Sequence, residues 1–217
     1  MQVVRTARRP ARLVVLVSGG GSNLAALLEA ASAGDFGADV VAVGADRREA
    51  GGLRIAADAD VPTFVEAVAD HPDRPAWDRA LTHRVARFEP DLVISAGFLK
   101  LVGPAFLEAF GGRYLNTHNS LLPAFPGTDG PRAALEYGVR VSGATLFFVD
   151  DGVDTGPIVA QVAVPVLDDD TVDTLTERIK TAERAQLIEA VGCLVRGGWT
   201  ISGRQVTIGA TPSKGMT

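Results

Sequence analysis

Short strand-like runs, each followed by a turn and an amphipathic segment, fill the first half of the chain. A run such as Leu13–Val17, which contains no polar residue, is typical of a strand that is buried on both faces. Strands that alternate with helices predict a mostly parallel sheet with helices on both sides. We therefore predict an α/β fold, a doubly wound mostly parallel sheet in three layers. The strands predicted in this half are Leu13–Val17, Val40–Val43, Pro62–Val65, Leu92–Ala96 and Arg113–Asn116.

The second half of the chain follows a different pattern. A loop rich in proline and glycine comes after Asn116, and the strands that follow it are longer. We predict a single domain of two unlike halves because no linker or internal repeat separates them. The elements predicted here are Arg132–Tyr137 and Val172–Val195 as helices, Ala144–Val149 and Ile158–Val166 as strands, and Trp199–Ile208 as a hairpin. The predicted bounds are a loose tail at 1–11, the domain at 12–209 with halves 12–116 and 117–209, and a second tail at 210–217.

Composition narrows the classes of partner. The 217 residues carry a net charge of −5 and no long basic run, which argues against nucleic acid or an anionic membrane as the main partner. A small anionic substrate stays compatible, since a local site can be positive on an acidic protein. The single cysteine rules out a disulfide within the chain. The N-terminal apolar run is too short for a signal peptide, so we expect a cytoplasmic protein.

A glycine-rich turn, Ser18–Asn23, separates the first predicted strand from the first predicted helix, which Ser22 is expected to cap. Bare glycines let a phosphate approach the backbone, and the helix N-terminus supplies N–H donors. The alternative is a tight turn that needs a positive φ. A dinucleotide fingerprint fails because Leu24 stands where it requires glycine, and a P-loop fails because no lysine is present. The turn therefore predicts a monophosphate site.

Asn116 and His118 lie two residues apart at the end of a predicted strand, so both side chains point to the same face. An amide donor beside an imidazole can stabilise an oxyanion. An acidic turn, Asp150–Pro157, follows a later strand, and a carboxylate from it could favour the charged imidazole. The sequence alone does not place that carboxylate beside His118. We expect the other histidines, His71 and His83, to face solvent, and no cluster has the spacing of metal ligands.

Four motifs occur in the order in which they occur in the folate-dependent formyltransferases that act on glycinamide ribonucleotide. They are SGGGSNL, ISAGFLKLVGPAFL, LNTH-S-LLPAFPG and the D-x-GP element, and the resemblance covers about residues 12–209. Related enzymes that use 10-formyltetrahydrofolate share a looser pattern but carry further domains. The resemblance implies a Rossmann-like formyltransferase fold and transfer of a formyl group from 10-formyltetrahydrofolate to the amine of glycinamide ribonucleotide, a step of purine synthesis. It implies two small-molecule substrates and no metal.

The resemblance also implies roles for individual residues. Asn116 and His118 would stabilise the oxyanion that forms when the amine attacks the formyl carbon. Asp154 would organise a water and help to pass the amine proton to the folate nitrogen. The residues implied to bind the ribonucleotide are Gly20, Gly21, Ser22 and Asn23 for the phosphate and Glu183 for the ribose hydroxyls. The residues implied to line the folate cleft are Lys100, Leu101, Val102, Leu107 and Asp150. Of these, Asp150 belongs to the Val149–Asp154 turn, which is implied to line the cleft as a whole.

The chain departs from the family pattern at a few positions. Asn119 stands where proline is common, Phe147 and Asp129 stand where histidine is expected, and Lys100 stands where arginine is frequent. Asp129 would place a second carboxylate near Asp154 unless Arg132 or a substrate group compensates its charge, whereas Phe147 is expected only to pack.

These departures keep two alternatives open. One is an enzyme with the same chemistry and another phosphorylated amine as acceptor, and another is a detuned paralogue. A catalytically inactive sensor of folate or nucleotide would be marked by loss of Asn116, His118 or Asp154, and all three residues are present. A homodimer is the default expectation for a soluble enzyme.

Overall fold

A central seven-stranded sheet organises the molecule, for which the computed structural model describes residues 2–209. The strands of the chain are β1 (Gln2–Arg5), β2 (Ala11–Val17), β3 (Ala38–Ala45), β4 (Thr63–Val65), β5 (Leu92–Ser95), β6 (Tyr114–His118), β7 (Val141–Phe148), β8 (Ile158–Pro165), β9 (Trp199–Ser202) and β10 (Gln205–Ile208). The order in the large sheet is β4-β3-β2-β5-β6-β7-β8. The first five strands in this order, from β4 to β6, run parallel to one another. Strand β7 pairs antiparallel with β6, and β8 pairs antiparallel with β7 at the edge of the sheet.

Helices cover both faces of this sheet. They are α1 (Ser22–Ser32), α2 (Gly51–Asp58), α3 (Arg74–Ala86), α4 (Pro104–Phe110), α5 (Gly130–Tyr137) and α6 (Val172–Gly197), with a 3-10 turn at Val68–Asp70. Successive residues of β2 point to opposite faces, as the pleat requires. Leu13 and Val15 join the cluster that contains α1 and α6 residues, whereas Val14 and Leu16 join the cluster that contains Trp77. The predicted doubly wound, three-layer α/β fold is confirmed.

Strand β1 corrects the expectation of a loose tail at residues 1–11. Gln2–Arg5 pairs antiparallel with β9, which also pairs with β10, so the three strands form a second, smaller sheet. Val3 packs against the main core beside Ile201. The pairing partner lies at the other end of the chain, so no local pattern indicated it. The predicted tail at 210–217 and Met1 lie outside the described residues.

The start of α1 also differs from the prediction. Gly21, not Ser22, is the N-cap residue, and its φ is 81°. A side chain at Gly21 would be strained by that φ and would meet the Cα atom of Gly52 at 2.7 Å. No side chain of the described residues caps this helix. The N–H groups of its first turn therefore face the glycine loop without an internal acceptor.

Helix α4 is capped by a side chain that belongs to another helix. Gly103, its N-cap residue, has no side chain, and the carboxylate of the buried Asp78 on α3 accepts hydrogen bonds instead. The donors are the backbone N–H groups of Gly103 at 2.6 Å, Ala105 at 2.9 Å and Phe106 at 3.4 Å. Asp78 thus fixes α4 to α3 and satisfies orphan donors of the helix end.

We expect the substitution Asp78→Ala to lower the free energy of unfolding by about 2 kcal/mol, because it leaves buried N–H donors without an acceptor. The control Asp78→Asn keeps one side-chain oxygen and should lose about half as much. Urea unfolding followed by circular dichroism measures both. Equal stability of Asp78→Ala and the parent protein would contradict the assigned cap.

Candidate active site

The geometry of the sheet locates the site at the carboxyl ends of its central strands. After β2 the chain adds β3 and β4 on one side, and then crosses to add β5 and β6 on the other side. The loops that follow β2 and β5 therefore diverge, and in open α/β sheets ligands bind in the crevice at this point. The glycine loop follows β2, and Lys100 lies in the loop that follows β5.

The glycine loop exposes its backbone at two positions. Gly19 and Gly20 are exposed, and a Cβ atom added to either would meet no heavy atom within 4 Å. The N–H of Gly52, at the start of α2, donates to the carbonyl of Gly19 at 3.1 Å. The loop is thus held from one side by α2 and is open on the other side, next to the uncapped first turn of α1. Such a turn can accept an anion.

Asn23 and Glu183 are brought together by the fold. Asn23 lies in the first turn of α1 and Glu183 in the middle of α6, and both side chains are buried. The Asn23 amide Nδ2 donates to Oε1 of Glu183 at 2.6 Å. This hydrogen bond involves Oε1 and not the second carboxylate oxygen, Oε2. The pair therefore places a carboxylate acceptor beside the glycine loop, next to the residues that the resemblance implies for the phosphate.

Asn116 and His118 lie on β6 as the sequence predicts. Asn116 is half-buried and His118 is buried. Directly opposite them on β7 are Phe147 and Thr145, so the four side chains share one face of the sheet. The amide and the imidazole therefore point to the same side at the carboxyl end of β6.

Two contacts orient the imidazole of His118. Its Nε2 atom lies 2.8 Å from the carbonyl oxygen of Phe125, which can only accept, so Nε2 carries the proton. Its Nδ1 atom faces the Asp154 carboxylate at 3.6 Å, which is longer than a direct hydrogen bond. Asp154 is itself held by the N–H of Gly127 at 2.8 Å. The structure thus brings together the histidine and the distant aspartate.

Buried polar side chains support the loop that follows His118. The Thr145 hydroxyl donates to the carbonyl of Ser120 at 2.7 Å and accepts from the N–H of Leu122 at 3.0 Å. Gln161 on β8 donates to the Leu122 carbonyl at 2.8 Å. The Ser120 hydroxyl donates to the carbonyl of Ala124 at 2.6 Å and also lies 3.1 Å from the carbonyl of Phe125, the same oxygen that His118 contacts. This network fixes the acceptor that sets the tautomer of the histidine.

The residues assigned to the folate cleft separate into two groups. Val102, Leu107 and Val149 pack against one hydrophobic cluster, and Leu107, Val149 and Asp150 line a cavity of about 290 Å³. Lys100 and Leu101 do not line this cavity. Leu101 is 65% exposed, and Asp150 accepts hydrogen bonds from Gly152 and Thr155 within its own turn.

Three of the positions that depart from the family pattern differ in their surroundings. Asp129 is 59% exposed at its side chain and pairs with Arg132 at 2.8 Å, so a neighbouring cation compensates its charge. Asn119 lies against Gly130, whose added Cβ would come within 2.8 Å of the Asn119 side-chain oxygen. Phe147 is fully buried, as expected of a packing residue.

The sequence analysis missed two charged groups at the site. Asp46 follows β3, is buried, and forms an ion pair with Lys100 at 3.2 Å. Arg74 on α3 donates to the carbonyl of Leu101 and stacks over Trp77. The sequence does place an acidic residue, Asp46, directly after an apolar strand. That position lies at the carboxyl edge of the sheet, so it could have been predicted as a site residue.

One expectation about histidines was wrong. His71 does not face solvent, since its Nε2 atom contacts the Glu66 carboxylate at 2.7 Å and its side chain is 17% exposed. His83 is exposed, as expected. Neither histidine is among the residues that the sequence predicts for the site. Within residues 2–209, no group of three acidic, histidine or cysteine side chains could hold a metal ion, and no helix is long and apolar enough to span a membrane.

Comparison with known proteins agrees with this geometry. The sequence profile of the formyl transferase family matches residues 11–191. The chain belongs to the formyl transferase family.

Individual relatives narrow the comparison. A phosphoribosylglycinamide formyltransferase of Mycobacterium tuberculosis is 58% identical over 200 residues, which cover 92% of each chain. The Escherichia coli protein of that name is 40% identical over 173 residues, covering 80% of this chain and 82% of its own. The crystal structure of glycinamide ribonucleotide transformylase 1 from Symbiobacterium toebii superimposes with a TM-score of 0.89 at 45% identity, covering 91% of this chain and 93% of that chain. The resemblance drawn from the motifs is confirmed.

The hydroxyl of Thr145 provides a test of the loop network. We expect Thr145→Val to lower the free energy of unfolding by about 2 kcal/mol, because the N–H of Leu122 loses its acceptor inside the protein. Thr145→Ser keeps the hydroxyl and is the matched control, with a smaller loss. Chemical denaturation compares the two variants. If both lose the same stability, the hydroxyl does not support the loop.

Proposed function

We propose that the protein transfers the formyl group of 10-formyltetrahydrofolate to the amine of glycinamide ribonucleotide, giving formylglycinamide ribonucleotide in purine synthesis. The observation that carries the proposal is the convergence of Asn116, His118 and Asp154 at the carboxyl edge of the sheet, near the crevice bounded by the glycine loop. The names of the relatives point the same way.

The ribonucleotide would bind at the glycine loop. The backbone of Gly20 and Gly21 and the first-turn N–H groups of Ser22 and Asn23 would hold the phosphate, since they form an uncapped helix start. Glu183 would accept hydrogen bonds from the ribose hydroxyls, because it is fixed by Asn23 beside this loop.

The folate would bind along the loop after β5 and the turn between β7 and β8. Val102 and Leu107 offer an apolar wall to the pterin ring, and Asp150 fixes the facing turn. The exposed side chain of Leu101 is a surface that a bound ligand would cover. Lys100, in the loop after β5, and Arg74, which donates to the Leu101 carbonyl, would offer cations to the carboxylates of a folate tail.

The reaction forms one C–N bond, breaks another C–N bond and moves one proton. The neutral amine of the ribonucleotide attacks the formyl carbon, and the carbonyl oxygen becomes negative. The Asn116 amide and the Nδ1–H of a protonated His118 would stabilise that oxygen, with Nε2–H anchored on the Phe125 carbonyl. Asp154, 3.6 Å from Nδ1, would guide the amine proton to the folate nitrogen. The bond from that nitrogen to the formyl carbon then breaks and releases tetrahydrofolate.

The direct test mixes purified protein with glycinamide ribonucleotide and a 10-formyl folate whose deformylation changes absorbance. We expect Asn116→Ala to lower kcat by about 10²–10³-fold, because one donor to the oxyanion is lost. His118→Ala should abolish measurable turnover. The control is His83→Ala, which removes an exposed histidine of α3 and should keep the parent rate.

Absence of turnover in this assay would distinguish the proposed reaction from the alternatives. Folate binding without turnover would favour another phosphorylated amine as acceptor, or a detuned paralogue. A panel of phosphorylated amines would then identify the acceptor. A cytoplasmic location and a homodimer remain expectations, and sedimentation of the purified protein tests the second.

The substitution Asp129→His restores the residue expected from the family pattern. Because Asp129 is largely exposed and paired with Arg132, we expect kcat/KM to change by less than about threefold. Steady-state kinetics of Asp129→His and of the control Asp129→Asn give the comparison. A rise above about tenfold in the histidine variant alone would mean that Asp129 slows the reaction.

A further inference from the structure

Asp46 is a buried carboxylate that the proposed chemistry does not use. Its side chain is 1% exposed, although it follows β3 directly and lies at the edge of the sheet where ligands bind. Two cations compensate its charge. Lys100 Nζ lies 3.2 Å and Arg47 Nη2 lies 3.3 Å from Oδ2 of Asp46.

The ion pair between Asp46 and Lys100 crosses the carboxyl end of β2. Asp46 follows β3 and Lys100 lies beyond β5, and these two strands are separated in the sheet by β2. The pair therefore spans the point where the loops of the two halves diverge. Its two ends belong to opposite sides of the crevice.

Ser18 lies beneath this bridge, at the first position after β2. Its hydroxyl accepts from the N–H of Leu99 at 2.9 Å, and its own N–H donates to the carbonyl of Gly97 at 3.1 Å. Burial raises the pKa of the Asp46 carboxyl, but hydrogen bonds from Ser18, Arg47 and Lys100 outweigh burial and hold that pKa below its usual value. Asp46, Ser18 and the Gly97–Lys100 segment are thus one connected group.

An ion pair with one buried partner is a weak source of stability, because desolvation of the buried Asp46 charge offsets much of the attraction. Fixing the relative position of two loops is a better account of this one. We propose that Asp46 is a positioning residue that couples the glycine loop to the Gly97–Val102 loop, so that the binding of the phosphate-bearing substrate and the binding of the folate strengthen each other. The inference rests on the proposed function, which assigns one ligand to each loop.

Isothermal titration calorimetry on the full chain tests the coupling. The affinity for glycinamide ribonucleotide is measured alone and with saturating tetrahydrofolate, which has no formyl group to transfer. In the parent protein we expect tetrahydrofolate to tighten ribonucleotide binding about fivefold or more, within the usual range of coupling between sites. In Asp46→Asn the factor should fall to about one, because a neutral amide no longer holds the lysine.

Asp91→Asn is the matched control. The Asp91 carboxylate accepts from the N–H of Arg12 at 2.9 Å and lies 3.8 Å from Arg8, so it joins β2 to β5 at the opposite, amino end of the sheet. This variant should lose stability and keep both the coupling factor and the parent rate. If Asp46→Asn does not fold, Ser18→Ala replaces it, since it removes the acceptor of the Leu99 N–H and a donor to Asp46.

The outcomes separate the inference from the proposed function. Loss of coupling in Asp46→Asn or Ser18→Ala, with coupling intact in Asp91→Asn, supports the role of Asp46. Coupling that persists in Asp46→Asn, or a parent protein that binds both ligands independently, overturns that role and leaves the proposed function standing. A parent protein that binds neither ligand overturns the proposed function, and the inference fails with it.

Discussion

Burial of the strand β2 on both faces is the constraint on which the rest of the molecule depends. All residues from Leu13 to Val17 are inaccessible to solvent, and their side chains supply both hydrophobic clusters in turn. Helices therefore cover the two faces, and only the ends of the strand remain near the surface. Because the chain changes direction across β2, the loops that leave its carboxyl end separate and form the crevice.

Near that crevice three polar side chains each have a hydrogen-bond partner within the protein. The Phe125 carbonyl orients His118, the Gly127 N–H orients Asp154, and Glu183 orients Asn23. Groups that are fixed before substrate binds need little reorganisation when charge develops in the transition state. Thr145, farther along the same network, keeps the Ser120–Leu122 backbone in place.

The parts of the structure that the sequence predicted are those with local signals. The run Leu13–Val17, the glycine turn and the pair Asn116 and His118 each depend on neighbouring residues, so pattern and spacing were sufficient. The parts it missed depend on long-range contacts. Strand β1 has its partner at the far end of the chain, and Asp46 meets Lys100 across the end of β2, although their strands are not neighbours in the sheet. The approach of Asp154 to His118 was implied by family resemblance alone, since the intervening segment has no pattern that fixes it.

The small sheet of β1, β9 and β10 has a consequence for the order in which the molecule assembles. Its central strand pairs with residues from the opposite end of the chain, so it closes only when nearly all of the chain is in place. Trp199 lies in that strand, stacks on Phe148 at 5.9 Å and is buried. Trp77, the other tryptophan, is buried on the opposite face against Phe98. The two indoles are therefore separate fluorescent reporters, one of the docking of α3 and the other of the final closure between the ends of the chain.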